Sequence, residues 1–263
     1  MKLKKEIKSV VFIGSGNVAT HLSVALHKMG MPILQIYSPN IEHARLLARK
    51  TESSAIHDLS EINPEADLYL ISIPDDKIIK VIDELKPFSG IAAHTSGIVE
   101  MKVLEKFENF GVFYPLQTFS KNRPVDITTV PFCIEGNSED TQNTLFDLAK
   151  KLSRSVQYIN SVDRKQIHLA AVFVNNFPNH LYAAAENLLK EKNISFEILL
   201  PLLQETAAKM QDLKPEEAQT GPARRNDLNT IKTHSAMLKN HPELLEIYQL
   251  FSHQILKKYH DKL

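Results

Sequence analysis

Up to about Asn160, short apolar runs alternate with stretches in which apolar residues return every three or four positions. Val10 to Ile13 (VVFI) are four apolar, mostly β-branched residues and read as a buried strand; Val18, Leu22, Ala25 and Leu26 then recur at helical spacing. Ile33 to Ser38 (ILQIYS) reads as a second strand and Ile41 to Lys50 as a helix with Ile41, Ala44, Leu47 and Ala48 on one face. A short strand at Ser54–Ile56 and a helical turn after Asp58 follow. Leu68 to Ile73 (LYLISI) is a fourth strand, and Asp76 stands where it would cap the helix carrying Ile78, Ile79, Val81, Ile82 and Leu85. Ile91–His94 and Val112–Tyr114 are further strands, followed by a strand in PFCIE, a helix from Glu139 to Leu152 and a strand from Val156 to Ile159. Strands alternating with helices of these lengths predict a mostly parallel, doubly wound sheet.

Beyond Asn160 the strand pattern stops. Asp163 to Lys190 can form one long helix, kinked by Pro178, which lacks an N–H and crowds the preceding turn. Helices near Phe196–Lys209, Asp227–Lys239 and Pro242–Tyr259 follow, with TGPARRND as the conspicuous loop. The expectation is an α/β domain over residues 1–160 and an all-α C-terminal domain over residues 161–263.

The join between the first strand and the first helix gives the α/β half a chemical meaning. Gly14-Ser15-Gly16 turns the chain there, and Ala19 supplies a third small position. This is the Gly-x-Gly-x-x-Ala pattern of a Rossmann dinucleotide-binding domain. The first glycine allows the tight turn, the second lets a pyrophosphate approach the backbone, and the small residue lets helix and strand pack closely. The N–H groups of Asn17, Val18 and Ala19, at the positive end of the helix dipole, would hold the phosphates. An acidic residue about 20 positions past the glycines marks NAD, because it binds the ribose hydroxyls and repels a 2′-phosphate. Here the second strand ends in Tyr37-Ser38-Pro39-Asn40, with no carboxylate before Glu42. Ser38 and Asn40 can bond a phosphate, and His43 or Arg45 could reach it, although Arg45 would equally suit a solvated helix face. NADP is expected rather than NAD.

Composition narrows the picture. Lys+Arg and Asp+Glu both number 31, a formal net charge of zero, which argues against a nucleic-acid or anionic-membrane surface. The basic start, MKLKKEIKS, reads as a solvated tail before the first strand and not as a signal peptide, since the apolar run ends at Gly14 without a cleavage pattern. No apolar segment approaches the roughly 18 residues needed to span a bilayer. The single cysteine, Cys133, lies in an apolar run and reads as a small buried side chain, which fits a reduced cytoplasm.

Ligands of open α/β sheets lie over the carboxyl ends of the strands. Three polar clusters fall there: Ser72 to Asp76, which includes Ile73 and Pro74, then His94-Thr95-Ser96-Gly97, and Tyr114 to Thr118. The first reads equally as a capped turn or as a cofactor contact; His94, Thr95 and Ser96 are expected to border the nicotinamide ribose. On the long helix, His168, Val172, Asn175 and Asn179 share a stripe, and Asn176 and His180 form an adjacent pair. Amides in an otherwise apolar stripe are costly to bury unless something bonds them. That points to a substrate cleft or to an interhelical or dimer contact. Asn175, Asn179 and His180 are the candidates for orienting substrate. His180 is the candidate proton donor, because imidazole titrates near neutrality. Arg225 could clamp an acid group, or pair with Asp227 and fix the loop. No pair of histidines has a zinc-site spacing, so no metal is expected.

Taken together, GSGNVAT, ISIPDDKI, HTSG, PLQTF, HLAAVFVNNFPNHLYA and AQTGPARRND resemble a family of bacterial Rossmann-like proteins with an uncharacterised helical C-terminal domain, labelled NADP oxidoreductases. These are distant relatives of pyrroline-5-carboxylate reductase, the deazaflavin-dependent NADP reductases and the β-hydroxyacid dehydrogenases. The resemblance implies a nicotinamide-binding oxidoreductase whose helical domain dimerises and closes over the cofactor. Two departures bear on this. Tyr114-Pro115 stands where many members carry His-Pro, and Val174-Asn175-Asn176 replaces the Ser-Gly-rich segment of the pyrroline-5-carboxylate reductases, which argues against proline synthesis. Lys165 is only a loose match to the dehydrogenase lysine. The expected activity is NADP-dependent hydride transfer to or from a small polar imine, keto or hydroxy acid, in a cytoplasmic homodimer. A non-catalytic sensor of nicotinamide nucleotides and a deazaflavin-dependent NADP reductase are the alternatives.

Overall fold

The computed structural model describes residues 6–260; of the solvated tail expected over MKLKKEIKS, Met1–Lys5 lie outside the described residues, and Ile7 is buried in the core of the sheet instead of solvated. The strands β1 (Val10–Ile13), β2 (Ile33–Tyr37), β3 (Ser54–Ile56), β4 (Leu68–Ile71), β5 (Ile91–His94), β6 (Asn109–Pro115), β7 (Phe132–Gly136) and β8 (Val156–Tyr158) form one sheet in the order β3-β2-β1-β4-β5-β6-β7-β8. Strands β1 to β6 run parallel, β7 is antiparallel to β6, and β8 is parallel to β7. The reversal has a local cause. Between β6 and β7 the chain carries only a 3₁₀ turn, Ile127–Thr129, in place of the helix that normally crosses between parallel strands.

The strands β1 and β4 are apolar at every position because each of their faces is covered. Val10, Phe12, Leu68 and Leu70 point into one core, under α1 (Asn17–Lys28), α2 (Ile41–Thr51) and α4 (Glu139–Leu152). Val11, Ile13, Tyr69 and Ile71 point into the other, with Ile78 and Ile82 of α3 (Asp75–Glu84). The chain leaves β1 towards β2 and β3 on one side, and returns to β4 on the other. The crevice of such a fold therefore opens at the carboxyl ends of β1 and β4. The ladder runs one residue past the strands at that edge: the Gly14 amide donates to the Tyr37 carbonyl, Ser72 to Ile13 and Thr95 to Ile71. Asp76 does not cap α3. The helix begins one residue earlier, after Pro74, and Asp76 pairs with Lys77 at 2.9 Å on the surface.

The long helix expected from Asp163 is divided into α5 (Ser161–Ala171) and α6 (Phe177–Lys190) by a π-helical turn at Val172–Asn176. Pro178 explains the break, since it has no N–H to offer the carbonyl four residues back and its ring crowds that carbonyl. By its contacts the chain forms two compact units, Met1–Asn175 and Asn176–Leu263. Helix α5 thus belongs with the sheet, although the strand pattern ends near residue 160. The second unit contains α6, α7 (Leu200–Asp212), a short α8 (Pro215–Ala218) absent from the sequence-based expectation, α9 (Leu228–Met237) and α10 (Pro242–His260). Asp227 caps α9, accepting from the Thr230 amide at 3.0 Å. Among the described residues, α6, α7 and α9 contribute no buried side chain. No helix among the described residues is long and apolar enough to cross a membrane.

Candidate cofactor cleft and its buried polar flank

Gly14 has φ +125°, and a Cβ there would lie 2.2 Å from the Ser72 carbonyl oxygen, so only glycine lets β1 and β4 exit side by side. At Gly16 the opposite holds: a Cβ would meet nothing within 4 Å. This turn is open towards the carboxyl edge of the sheet. Helix α1 starts there with no side-chain cap, whereas α2, α4 and α5 are capped by Asn40, Ser138 and Asn160. The first amides of α1, those of Asn17, Val18 and Ala19, have no acceptor within the helix and lie where the dipole is positive, an arrangement that fits an anion. Ser15 is buried behind the turn.

At the end of β2, Ser38 is buried and its amide donates to the Ile56 carbonyl. Asn40 is less available than its position suggests, because its side-chain oxygen accepts from the Glu42 amide at 3.0 Å and caps α2. Its amide nitrogen remains for a ligand. Arg45 is exposed and pairs with Glu42 at 2.6 Å, the solvated-face reading of that residue. At the β4 exit, Ile73 packs within 3.0 Å of the Gly14 position, and Pro74 is exposed. Thr95 donates its hydroxyl to Ser72 Oγ at 3.3 Å, and Ser96 Oγ accepts from the Ile98 and Val99 amides at 3.2 and 3.1 Å.

His94 differs from the expectation for it. Its side chain is 0% exposed and faces inward. Nδ1 accepts from the Ser96 amide at 3.2 Å, while Nε2 lies 3.4 Å from the Glu100 carbonyl and donates to it. Burial, with a smaller contribution from nearby Arg164, holds its pKa down to about 3, so the ring is neutral and shapes the loop.

Beneath this loop lies an ion pair that the sequence pattern did not single out. Arg164 of α5 is 0% exposed and donates from Nη1 to Glu135 Oε2 of β7 at 2.6 Å. Its other terminal nitrogen donates to the Val99 carbonyl and to Ser161 Oγ, and Ser161 Oγ in turn donates to Glu135 at 2.7 Å. Among the described residues, Arg164 Nε is the one buried side-chain nitrogen or oxygen without a hydrogen-bond partner. One turn further along α5, His168 Nδ1 meets the Tyr114 hydroxyl of β6 at 3.1 Å. Both rings press on Gly97, where a Cβ would stand 2.4 Å from His168 Nδ1 and 3.0 Å from Tyr114 Cζ. In the sequence Tyr114 stands out as part of a strand-end cluster and as the residue found where many members carry histidine, and His168 as part of the helical stripe. The glycine closing His94-Thr95-Ser96-Gly97 was the one local signal that something packs closely there. Cys133 is buried and free, and burial raises its pKa. Lys165 is exposed and pairs with Glu100 at 2.6 Å.

The remaining candidates are distributed between the units. Asn175 sits half-buried in the π turn, at the end of the first unit. Asn179 and His180 are exposed on α6, so the desolvation cost expected for a buried amide stripe does not arise within this chain. Arg225 is exposed at the end of a 3₁₀ turn, Ala223–Arg225, while neighbouring Arg224 lies 4.3 Å over the ring of Tyr259.

Sheet order, glycine turn and uncapped first helix define a Rossmann-type fold, and comparison with known proteins agrees. A Rossmann-like domain matches residues 1–118, and a domain of unknown function (DUF2520) matches residues 130–255. Among curated proteins none matches the chain. The crystal structure described as "putative NADP oxidoreductase" from Bacteroides fragilis is 42% identical with a TM-score of 0.89, the match covering 96% of this chain and 98% of that one. The chain belongs to the family of that protein, a Rossmann-like domain joined to this helical domain. The fold extends further. A reductive aminase from Aspergillus terreus, solved with NADPH and ethyl-5-oxohexanoate, is 12% identical with a TM-score of 0.70, over 97% of this chain and 95% of that one. A 1-pyrroline-5-carboxylate reductase from Streptococcus pyogenes is 14% identical with a TM-score of 0.63, over 95% and 98%.

Two stability predictions follow from the buried polar groups. Replacing Arg164 by Met strands Glu135 and should cost about 3–5 kcal/mol, read as a lowered urea midpoint at constant slope. Lys165→Met, which removes an exposed pair on the same helix, should leave that midpoint almost unchanged. His94 makes the protein acid-sensitive. An unfolded imidazole titrates near 6.5, but the folded one resists protonation down to about 3. Between these values the unfolded chain binds the extra proton, so stability is full above the unfolded pKa and is lost as pH falls. The slope from this group should reach about 1.4 kcal/mol per pH unit, and His94→Gln should flatten the urea-midpoint profile between pH 6 and 4.

Proposed function

We propose that this chain is an NADP-dependent oxidoreductase that moves hydride to or from a small polar imine, keto or hydroxy acid. The observation that carries this is the glycine turn: Gly14 wedged against the Ser72 carbonyl, Gly16 open, and α1 uncapped behind them. Gly14, Ser15, Gly16, Asn17 and Val18 would hold the pyrophosphate. Ser38 and the amide nitrogen of Asn40 would hold the adenosine phosphate, with no carboxylate at the end of β2 to repel it. Ile73, Pro74, Thr95 and Ser96 would border the nicotinamide ribose, with His94 holding their loop from behind. The nicotinamide supplies the hydride chemistry when bound, and the protein supplies orientation and charge. Asn175, Asn179, His180 and Arg225 are the proposed substrate contacts. A cytoplasmic location accords with the single, free cysteine.

The protein works as a homodimer assembled through its helical unit. Ile198, Leu202 and Met237 are 69%, 61% and 73% exposed there. An apolar groove of about 350 Å³ is lined by Leu181, Ala185, Leu188, Leu244, Tyr248 and Phe251. Apolar surface on this scale marks an interface, and a second copy of the chain supplies a matching face.

Fluorescence titration should give tight NADPH binding and weak NADH binding. Ser38→Asp should cost NADPH tenfold or more, given the roughly 1.5–3 kcal/mol of a hydrogen bond to a charged group. Equal affinity for both nucleotides would remove the NADP preference, and no binding of either would remove the oxidoreductase reading. Sedimentation should give twice the 29.8 kDa chain mass; a monomer would overturn the dimer.

A further inference from the structure

We infer that Tyr114 and His168 form the proton relay of this site, with the Tyr114 hydroxyl as the group that touches substrate and His168 as the group that resupplies it. The inference rests on the oxidoreductase reading and adds the identity of its acid. Three observations place the pair. In the parallel register His94 lies beside Val112, so Tyr114, two residues on, projects past the end of β5 at the carboxyl edge. Its hydroxyl meets His168 Nδ1 at 3.1 Å. Both rings close on Gly97, next to Thr95 and Ser96, which border the proposed nicotinamide position. The pair also lies wholly within the unit that holds the glycine turn.

The chemistry balances. Hydride from the reduced nicotinamide adds to the carbon of a C=N or C=O bond, and the π pair moves to the nitrogen or oxygen. That atom takes the phenol proton of Tyr114, Tyr114 takes the Nδ1 proton of His168, and solvent reprotonates His168. Oxidation of an amine or alcohol runs the same path backwards. Burial first, and then the buried Cys133 thiol and Asp75, raise the Tyr114 pKa to about 12, with Arg164 opposing them. The phenol therefore keeps its proton across the working range and donates it only as His168 replaces it. The charged and titratable groups facing the pair are Asp75 of α3, Cys133 of β7 and Arg164 of α5; of these Arg164 is tied to Glu135. His168 is the group that must carry a proton on Nδ1 for the phenol to be resupplied.

The test uses the full chain and Tyr114→Phe, His168→Gln and His180→Gln variants, with Gly97→Ala as a variant that keeps both residues but displaces the His168 ring. NADPH oxidation is followed from pH 5 to 9 against a panel of small imines and keto acids, alongside NADPH binding by fluorescence. Tyr114→Phe, His168→Gln and Gly97→Ala should each lower turnover about 10²–10⁴-fold with nucleotide affinity within about twofold of wild type. Wild-type turnover in Tyr114→Phe or in His168→Gln, or a loss of turnover confined to His180→Gln, would overturn the relay. Imidazole ¹⁵N NMR of NADP⁺-loaded protein gives a readout independent of turnover. A proton on His168 Nδ1, with a shift that moves in Tyr114→Phe, supports the relay. An Nδ1 bare from pH 5 to 8, which ties up the phenol proton, overturns it even if no compound in the panel is reduced. Failure to bind either nucleotide would instead remove the oxidoreductase reading, and the same NMR spectra of the unloaded protein would still decide the relay.

Discussion

The ion pair between Arg164 and Glu135 is the constraint on which the carboxyl edge of the sheet depends. A guanidinium with no exposed surface is tolerable only where a carboxylate and further acceptors meet it, because desolvation of the isolated charge is far larger than any single contact. The fold supplies them from three places: Glu135 on β7, the Val99 carbonyl after β5, and Ser161 at the start of α5. The antiparallel entry of β7 makes this possible. It sets Glu135 abreast of Val112, which is itself abreast of His94, so one row of the sheet carries both buried polar side chains. A buried pair of this kind is weak as a source of net stability but strong as a device for register. With Arg164 fixed, His168 one turn later has a defined place against Tyr114. The unpartnered Nε shows that geometry, not complete hydrogen bonding, was satisfied here.

The nucleotide side of the cleft is organised by different means. No buried charge is involved. Backbone carbonyls and amides at the exits of β1, β2, β4 and β5 bond to one another, and Gly14 makes their close approach possible. Helix α1 and helix α3, which begin beside these exits, are the two long helices of the sheet unit without side-chain caps, while α2, α4 and α5 have them. Capping satisfies orphan amides wherever they would otherwise face only water. Leaving them uncapped at the crevice preserves a positive dipole end for an anion. At α3 the two aspartates of the first turn already compensate it, which leaves α1 as the end that suits an anion.

How much of this was legible in the sequence depended on the range of the interaction. Strands such as Leu68–Ile71 and helices such as Glu139–Leu152 were readable because period and length are local properties. The role of Gly14 was readable because a turn is local too. Asn40 and Asp76 stand beside helix starts, where a polar side chain can cap the helix or face a ligand: Asn40 caps α2 with its side-chain oxygen, whereas Asp76 lies inside the first turn of α3 and caps nothing. Pro178 announced a break but not its form, a π turn placed before it. His94 and Arg164 were opaque, since their burial is created by β7 and α5, elements far away along the chain. Tyr114 and His168 are likewise distant in sequence, and no local pattern announces a contact of that kind. In the helical unit the amphipathic spacing was visible, but which apolar faces the chain itself covers was not.

Two histidines near this edge differ in each contact that governs where an imidazole carries its proton. His94 is enclosed on every side, hydrogen-bonded through both ring nitrogens to backbone, and close to a guanidinium. Burial first, then the guanidinium, and the amide donated to Nδ1 disfavour a second proton and outweigh the Glu100 carbonyl, which favours it, so the ring is a neutral strut whose charge state does not change near neutral pH. His168 is half-buried, its Nδ1 faces a hydroxyl and not an amide, and the cation one turn before it is matched by Glu135. A hydroxyl can either give or receive at that contact, whereas the amide facing His94 can only give. The direction of the proton is therefore fixed at one histidine and reversible at the other. Reversibility is what a group must have if it is to serve a redox step in both directions.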